Sequence, residues 1–172
     1  MPETLRLLLD RLDTPIGEIL IVMDGQDTLR AVDWADYEPR MRRILRIHYG
    51  DQFSLEEAHG SHQPTRALEQ YLAGDVAAID ALPVRTQGTP FQRKVWSALQ
   101  AIPCGVTISY AELAVRVGQA SAVRAVGSAN GSNPVGVVVP CHRVIGSNGS
   151  LTGYGGGIHR KQWLLHHEQR KS

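Results

Sequence analysis

Three side chains that together can run covalent chemistry stand in the second half of the chain. Cys141 and His142 sit side by side in "VVVPCHRVIG", and Glu168 ends "IHRKQWLLHHE". A thiol is a poor nucleophile until it loses its proton, and a free cysteine has a pKa of about 8.5 that apolar burial raises. A histidine can take that proton, and a carboxylate can orient the imidazole and balance its charge. The same parts build a cysteine hydrolase, and a thiol beside a histidine also occurs as plain packing, so these residues alone leave the choice open. "VGVVVP" reads as a buried strand that ends at Pro140, which places Cys141 at a strand exit. Neighbours on a strand point to opposite faces, so a turn or a bridging water must join the thiol to the imidazole.

Between these residues lies "GSNGSLTGYGGG", whose glycines at 146, 149, 153, 155, 156 and 157 surround Tyr154. Such a loop lets backbone N–H groups approach a ligand and close over it, but it lacks the GxxxxGK[ST] pattern of a phosphate loop. Cys104 and Cys141 are the only cysteines and form no CxxC pair, which supports neither a disulfide framework nor a cysteine zinc cluster. His48, His59 and His62 lack metal-ligand spacing. Residues 1–85 carry no motif with evident chemistry and read as scaffold.

The elements that must position the thiol follow from pattern. The chain has 172 residues, 42% hydrophobic, enough for one medium domain or two small ones. Its net charge of +1 conceals a split. Residues 1–87 hold nine arginines against fifteen carboxylates, a net −6, and residues 88–172 hold nine Lys/Arg against Glu112 and Glu168, a net +7. A basic half suits a polyanionic partner, since cations that neutralise phosphates release counterions, and it also suits a solvated face. No apolar run reaches transmembrane length and no export signal is visible, so a cytoplasmic location is expected.

"LRLLLDRL", "EILIVM" and "LRAVDW", separated by turns, predict a small antiparallel sheet. "PRMRRILRIHY" and "PTRALEQYLAG" predict two helices with a polar loop between them around Asp51 to Gln63. Turn residues and the charge shift coincide at "PVRTQGTP", which divides the chain into residues 1–86, an α/β scaffold, and residues 87–172, mainly helical. In the second part Thr89 and Pro90 open a helix that must stop before Pro103. Ser109 to Glu112 forms a capping box for "YAELAVRV", which closes at Gly118. "QASAVRAVGSAN" follows as a short second helix, a helix-turn-helix pattern. Residues 121–130 offer only one long side chain, Arg124. Small residues let a helix approach a curved or narrow surface, and they equally pack against a neighbouring helix.

With these residues in place the chain resembles the methylated-DNA-protein-cysteine methyltransferases, the O6-alkylguanine-DNA alkyltransferases. "PCHRV" at 140–144 matches the family's active-site signature, together with "ISY" at 108–110, "VRAVG" at 123–127, "NP" at 133–134, "GYGGG" at 153–157 and "WLLHHE" at 163–168. The resemblance implies a ribonuclease-H-like first domain and a winged helix-turn-helix second domain. It implies DNA repair by a direct, irreversible, single-turnover transfer of an alkyl group from O6-alkylguanine, with O4-alkylthymine as a further substrate, to Cys141. His142 would take the thiol proton through a water, Glu168 would hold the imidazole, Asn133 would secure the turn before the active-site segment, and Tyr110 would donate to the leaving guanine.

An alkyl group on a stacked base is out of reach, so the nucleotide must flip out, with Arg124 filling the gap. The helix bearing it would enter the minor groove, with Ser121, Ala125 and Gly127 among its contacts. Val144 would meet the flipped base through its carbonyl, Tyr154 and Gly155 would line the pocket, and Lys161 would assist near the base. Gly155 replaces the serine of some members, and Cys141 is the residue that the non-repairing alkyltransferase-like proteins lack. No cofactor and no zinc are expected. Duplex DNA with O6-alkylguanine is the expected partner, with no membrane and a monomeric chain that clusters on DNA. A regulatory winged-helix module with a merely packed thiol and a cysteine hydrolase are the rival readings.

Overall fold

The computed structural model describes residues 4–151 and 153–170. Thr152, inside the glycine-rich loop, lies outside the described residues, as do the first three and last two. The chain divides into two units, Met1–Gln87 and Gly88–Ser172.

In the first unit β1 (Leu5–Thr14), β2 (Gly17–Met23) and β3 (Leu29–Trp34) run antiparallel in sequence order. The polar segment expected as a loop contains β4 (Phe53–Glu57), which pairs parallel with β1, Leu5 opposite Phe53 and Leu9 opposite Glu57. The sheet is therefore mixed, in the order β3-β2-β1-β4, and not purely antiparallel. Phe53 and Leu55 alternate with Ser54 and Glu56 as an edge strand with one buried face requires, but the run is only five residues long and polar chain flanks it, so it reads as loop. β2 is central and buried on both faces, from Ile19 to Met23. Leu20 and Val22 pack with Leu7, Leu9 and Ala31 against Met41 and Leu45 of α1 (Glu38–Tyr49), an i, i+4 pair that needs one helical face. α2 (Gln63–Leu72) packs against β1 and β2, and its Thr65 hydroxyl donates to Asp10 of β1.

The second unit opens with α3 (Pro90–Gln100). Thr89 accepts from the Gln92 N–H and the Gln92 side chain accepts from the Thr89 N–H, a complete capping box. The box expected at α4 (Tyr110–Arg116) is half made. Ser109 accepts from the Glu112 N–H, but the Glu112 carboxylate pairs with Arg116 one turn on, 3.2 Å away. A turn through Gly118, at φ +80°, leads to α5 (Val123–Gly131). α3, α4 and α5 pack on one another, and Trp96 of α3 donates from Nε1 to the Ala129 carbonyl at 2.8 Å. A two-residue parallel ladder joins β5 (Ile108–Ser109) to β6 (Val144–Ile145), and α6 (Ile158–Gln169) packs against the turn that carries Cys141. Among the described residues no helix is long and apolar enough to cross a membrane.

Candidate active site

The valine run before Cys141 is not a strand. Val138 donates to the Gly136 carbonyl at 2.7 Å, Val139 to Val135 at 3.0 Å and Cys141 to Val139 at 2.8 Å, so consecutive tight turns replace a ladder. Val137 sits at φ +68°, a conformation rare for a β-branched residue. An apolar run reports burial, and burial does not choose between a ladder and turns that satisfy the backbone locally.

Asn133 supplies much of that satisfaction. Its Nδ2 donates to the Val139 carbonyl at 2.7 Å and its Oδ1 accepts from the Val135 N–H at 2.9 Å. Asn133→Ala takes the acceptor from the buried Val135 N–H and one of two donors from the Val139 carbonyl, and a loss of about 1–3 kcal/mol is expected. Urea denaturation of the full chain measures it; an unchanged midpoint would remove Asn133 from this role.

Cys141 is half-buried, is in no disulfide, and opens a single 3-10 turn, Cys141–Arg143. On such a turn neighbouring side chains stand about 120° apart rather than on opposite faces. His142 is fully buried, and its Nε2 lies 2.9 Å from Oε2 of Glu168, itself 1% exposed. Arg143 completes the cluster, donating from Nε to Glu168 Oε1 and from Nη2 to Oε2, both at 2.9 Å, and from Nη1 to the Ile102 carbonyl at 2.7 Å.

Burial resists ionisation of Glu168, but His142 and Arg143 outweigh it and hold the carboxyl well below its ordinary range. An ionised carboxylate only accepts, so the neutral imidazole carries its hydrogen on Nε2. Nδ1 then bears the lone pair, buried and with no hydrogen-bond partner among the described residues. Burial lowers the His142 pKa, Glu168 opposes this, and Arg143 and Lys161 reinforce it. The imidazole is neutral at pH 7 and presents a base.

Lys161 is fully buried, donates from Nζ to the Val144 carbonyl at 2.6 Å, and lies 5.9 Å from the centre of the Tyr110 ring. Burial pushes its pKa down to about 8, against the attraction of Cys141. Its ammonium thus persists at neutral pH near Cys141. Burial raises the Tyr110 pKa and keeps it a phenol able to donate. The Asn130 side chain hydrogen-bonds Tyr110, and its Nδ2 lies 3.5 Å from the Cys141 carbonyl.

The glycine-rich loop approaches the same phenol. A Cβ on Gly153, at φ +72°, would stand 3.3 Å from the Tyr110 hydroxyl, so a side chain there would crowd it. Tyr154 is half-buried and Gly155 exposed. On α5, Ser121 just before it and Arg124 and Ala125 within it are exposed, whereas Gly127 is half-buried and a Cβ there would meet the Tyr110 ring at 3.8 Å. One short helix therefore offers an exposed face carrying Arg124 and an inner face that backs the phenol.

Known proteins match nearly the whole length of the chain that carries this site. The methylated-DNA–protein-cysteine methyltransferase of Salmonella typhimurium is 51% identical over 165 residues, covering 95% of this chain and 96% of that protein. The chain belongs to the methylated-DNA–protein-cysteine methyltransferase family. A family model, the DNA binding domain of 6-O-methylguanine DNA methyltransferase, matches residues 90–170. The crystal structure of Mycobacterium tuberculosis O6-methylguanine methyltransferase superposes with a TM-score of 0.79 at 37% identity, covering 96% of this chain and 94% of that one. The same bacterium's protein solved in complex with DNA gives 0.78 at 35% identity, with the same coverage. The mixed sheet with helices found here is the architecture of these methyltransferases.

Two residues of this methyltransferase site escaped the reading of the sequence, Arg143 and Asn130. Arg143 lies inside "PCHRV", and the signal for it was Glu168: a carboxylate in the last turn of a helix opposes the helix dipole and calls for a cation. Asn130 had no signal, because an asparagine near a helix end ordinarily marks the end itself.

Proposed function

We propose that Cys141 is the acceptor of this methyltransferase and that the alkyl group comes from O6-alkylguanine in duplex DNA, with O4-alkylthymine as a further substrate. The observation that carries this reading is the neutral His142, held on Nε2 by Glu168 with its Nδ1 lone pair unpartnered, one residue from the thiol. Cys141 gives its proton to Nδ1 through one water. The thiolate attacks the alkyl carbon in line; the S–C bond forms as the C–O6 bond breaks, and the electron pair leaves with guanine. Tyr110 donates to the departing base, Lys161 offsets negative charge beside Cys141, and the proton held on His142 restores neutrality. The thioether cannot be reversed by any group in the site, so each molecule acts once.

Tyr154, Gly155 and the Val144 carbonyl line the base pocket, with Lys161 already holding one lone pair of that carbonyl. α4 and α5 form the helix-turn-helix of a winged second domain, and the first domain is ribonuclease-H-like. α5 enters the minor groove with Ser121, Ala125 and Gly127 along its small-residue stretch, and Arg124 occupies the space of the flipped nucleotide. The protein works in the cytoplasm as a monomer that clusters on DNA. Incubation with an O6-methylguanine duplex tests the reading: mass spectrometry should find one methyl on the Cys141 peptide and reaction should stop at one equivalent. Methylated DNA beside an unmodified peptide, or turnover of an acyl substrate, would overturn it.

Arg124 gives a separate prediction. Base extrusion costs a few kcal/mol, and losing the side chain that holds the gap should cost about 1.5–3 kcal/mol, roughly 10- to 100-fold in duplex repair rate. Arg124→Ala should leave reaction with free O6-benzylguanine within a factor of about two of the parent. Equal losses on both substrates would show that Arg124 does not act in flipping.

A further inference from the structure

We infer that Arg143 keeps His142 in its neutral, proton-accepting form by neutralising Glu168 before the imidazole can. The inference rests on the reading of His142 as the base for Cys141, and it adds a residue that this reading does not use. A buried carboxylate against an imidazole normally draws a proton onto it, and a histidine already protonated cannot accept one from a thiol. Here both Glu168 oxygens receive N–H groups of one guanidinium, a group that stays charged at any working pH. The third arm of that guanidinium is anchored on the Ile102 carbonyl, so the clamp is fixed at both ends.

All three members are buried, Arg143 at 4% exposure, His142 at 0% and Glu168 at 1%. Arg143 and Glu168 already sum to zero, so a proton on His142 would leave an unmatched positive charge away from water. The groups around the imidazole agree. Glu168 of α6 favours its protonation, while Arg143 on its own turn and Lys161 of α6 both oppose it. Only an anion formed next to it relieves that opposition, and ionising Cys141 makes one: the proton moves from sulfur to Nδ1 with no change in the net charge of the cluster. Arg143 is thus a positioning and charge-setting residue that acts through Glu168, not a group that touches the base.

The test is a pair of titrations. NMR of His142 in the unmodified full chain should give a midpoint below the ordinary histidine value of about 6.5. In Arg143→Gln the midpoint should rise by about one to three pH units. The rate of methyl transfer to Cys141 in that variant should fall roughly tenfold or more at pH 7 and climb back toward the parent as pH rises past the new midpoint. Arg143→Lys, which retains the charge, should keep its midpoint near the parent's.

A parent midpoint above 6.5 would overturn the inference, as would an Arg143→Gln rate depressed equally at every pH with the His142 midpoint unmoved, the mark of a merely structural role. If Arg143→Gln does not fold, the parent midpoint and that of Arg143→Lys decide. Both titrations are read without substrate, so a failure of methyl transfer in the parent counts against the proposed function and leaves this inference to be judged on its own.

Discussion

Cys141→Ser should bind O6-methylguanine duplex as the parent does and leave its methyl group in place. A serine hydroxyl cannot be ionised at neutral pH by one neutral imidazole to the extent a thiol can, and it is intrinsically the weaker nucleophile. Removing a covalent nucleophile costs on the order of 10⁶-fold in rate in other enzymes. The half-buried side chain and the turn around it should survive the exchange, because the segment is held through backbone bonds and Asn133. Single-turnover assays with radiolabelled methyl groups, paired with a DNA-binding titration, measure both halves. Transfer by the serine variant at anything near the parent rate would show that Cys141 is not the acceptor, with Cys104 the remaining thiol to test.

The second large effect is on stability. Glu168→Gln leaves the Arg143 guanidinium buried without its counter-charge, and breaking a buried pair in this way costs about 3–5 kcal/mol. For a domain with total stability of about 5–15 kcal/mol that is a large share, and a thermal midpoint lower by more than about 10 °C is expected for a unit of this size. A midpoint equal to the parent's would show that Glu168 is not paired as described.

Acid should reproduce the effect in the parent. The folded state holds Glu168 well below its ordinary value of 4.5, so its contribution is complete above about 4.5 and is lost as pH falls below that. His142 adds in the same direction. Its folded pKa lies below 6.5, the unfolded chain therefore binds the extra proton first, and stability declines as pH drops under 6.5. Denaturant midpoints across this range should fall in the parent. In Glu168→Gln the part of the fall below about pH 4.5 should be smaller, since the carboxylate that titrates there is gone.

Helix starts were legible because their causes are local. Thr89 with Pro90, and Ser109, each act within one turn of chain, and α3 and α4 start where those residues place them. The family was also plain, because six short motifs stand in order between Ile108 and Glu168. What the sequence could not determine were pairings between distant segments. β4 reads as polar loop until β1 lies beside it, because its strand character is a ladder made with residues about fifty positions away.

The valine run reads as a strand because apolarity reports burial and is silent on where the backbone bonds go. Asn133 and three tight turns made that choice. The third case matters most for the chemistry. A sequence shows a histidine, an arginine and a glutamate, but the charge of the imidazole depends on whether the arginine reaches the carboxylate along with it, and over separations of 25 and 26 residues only the packing of α6 against the Cys141 turn decides that.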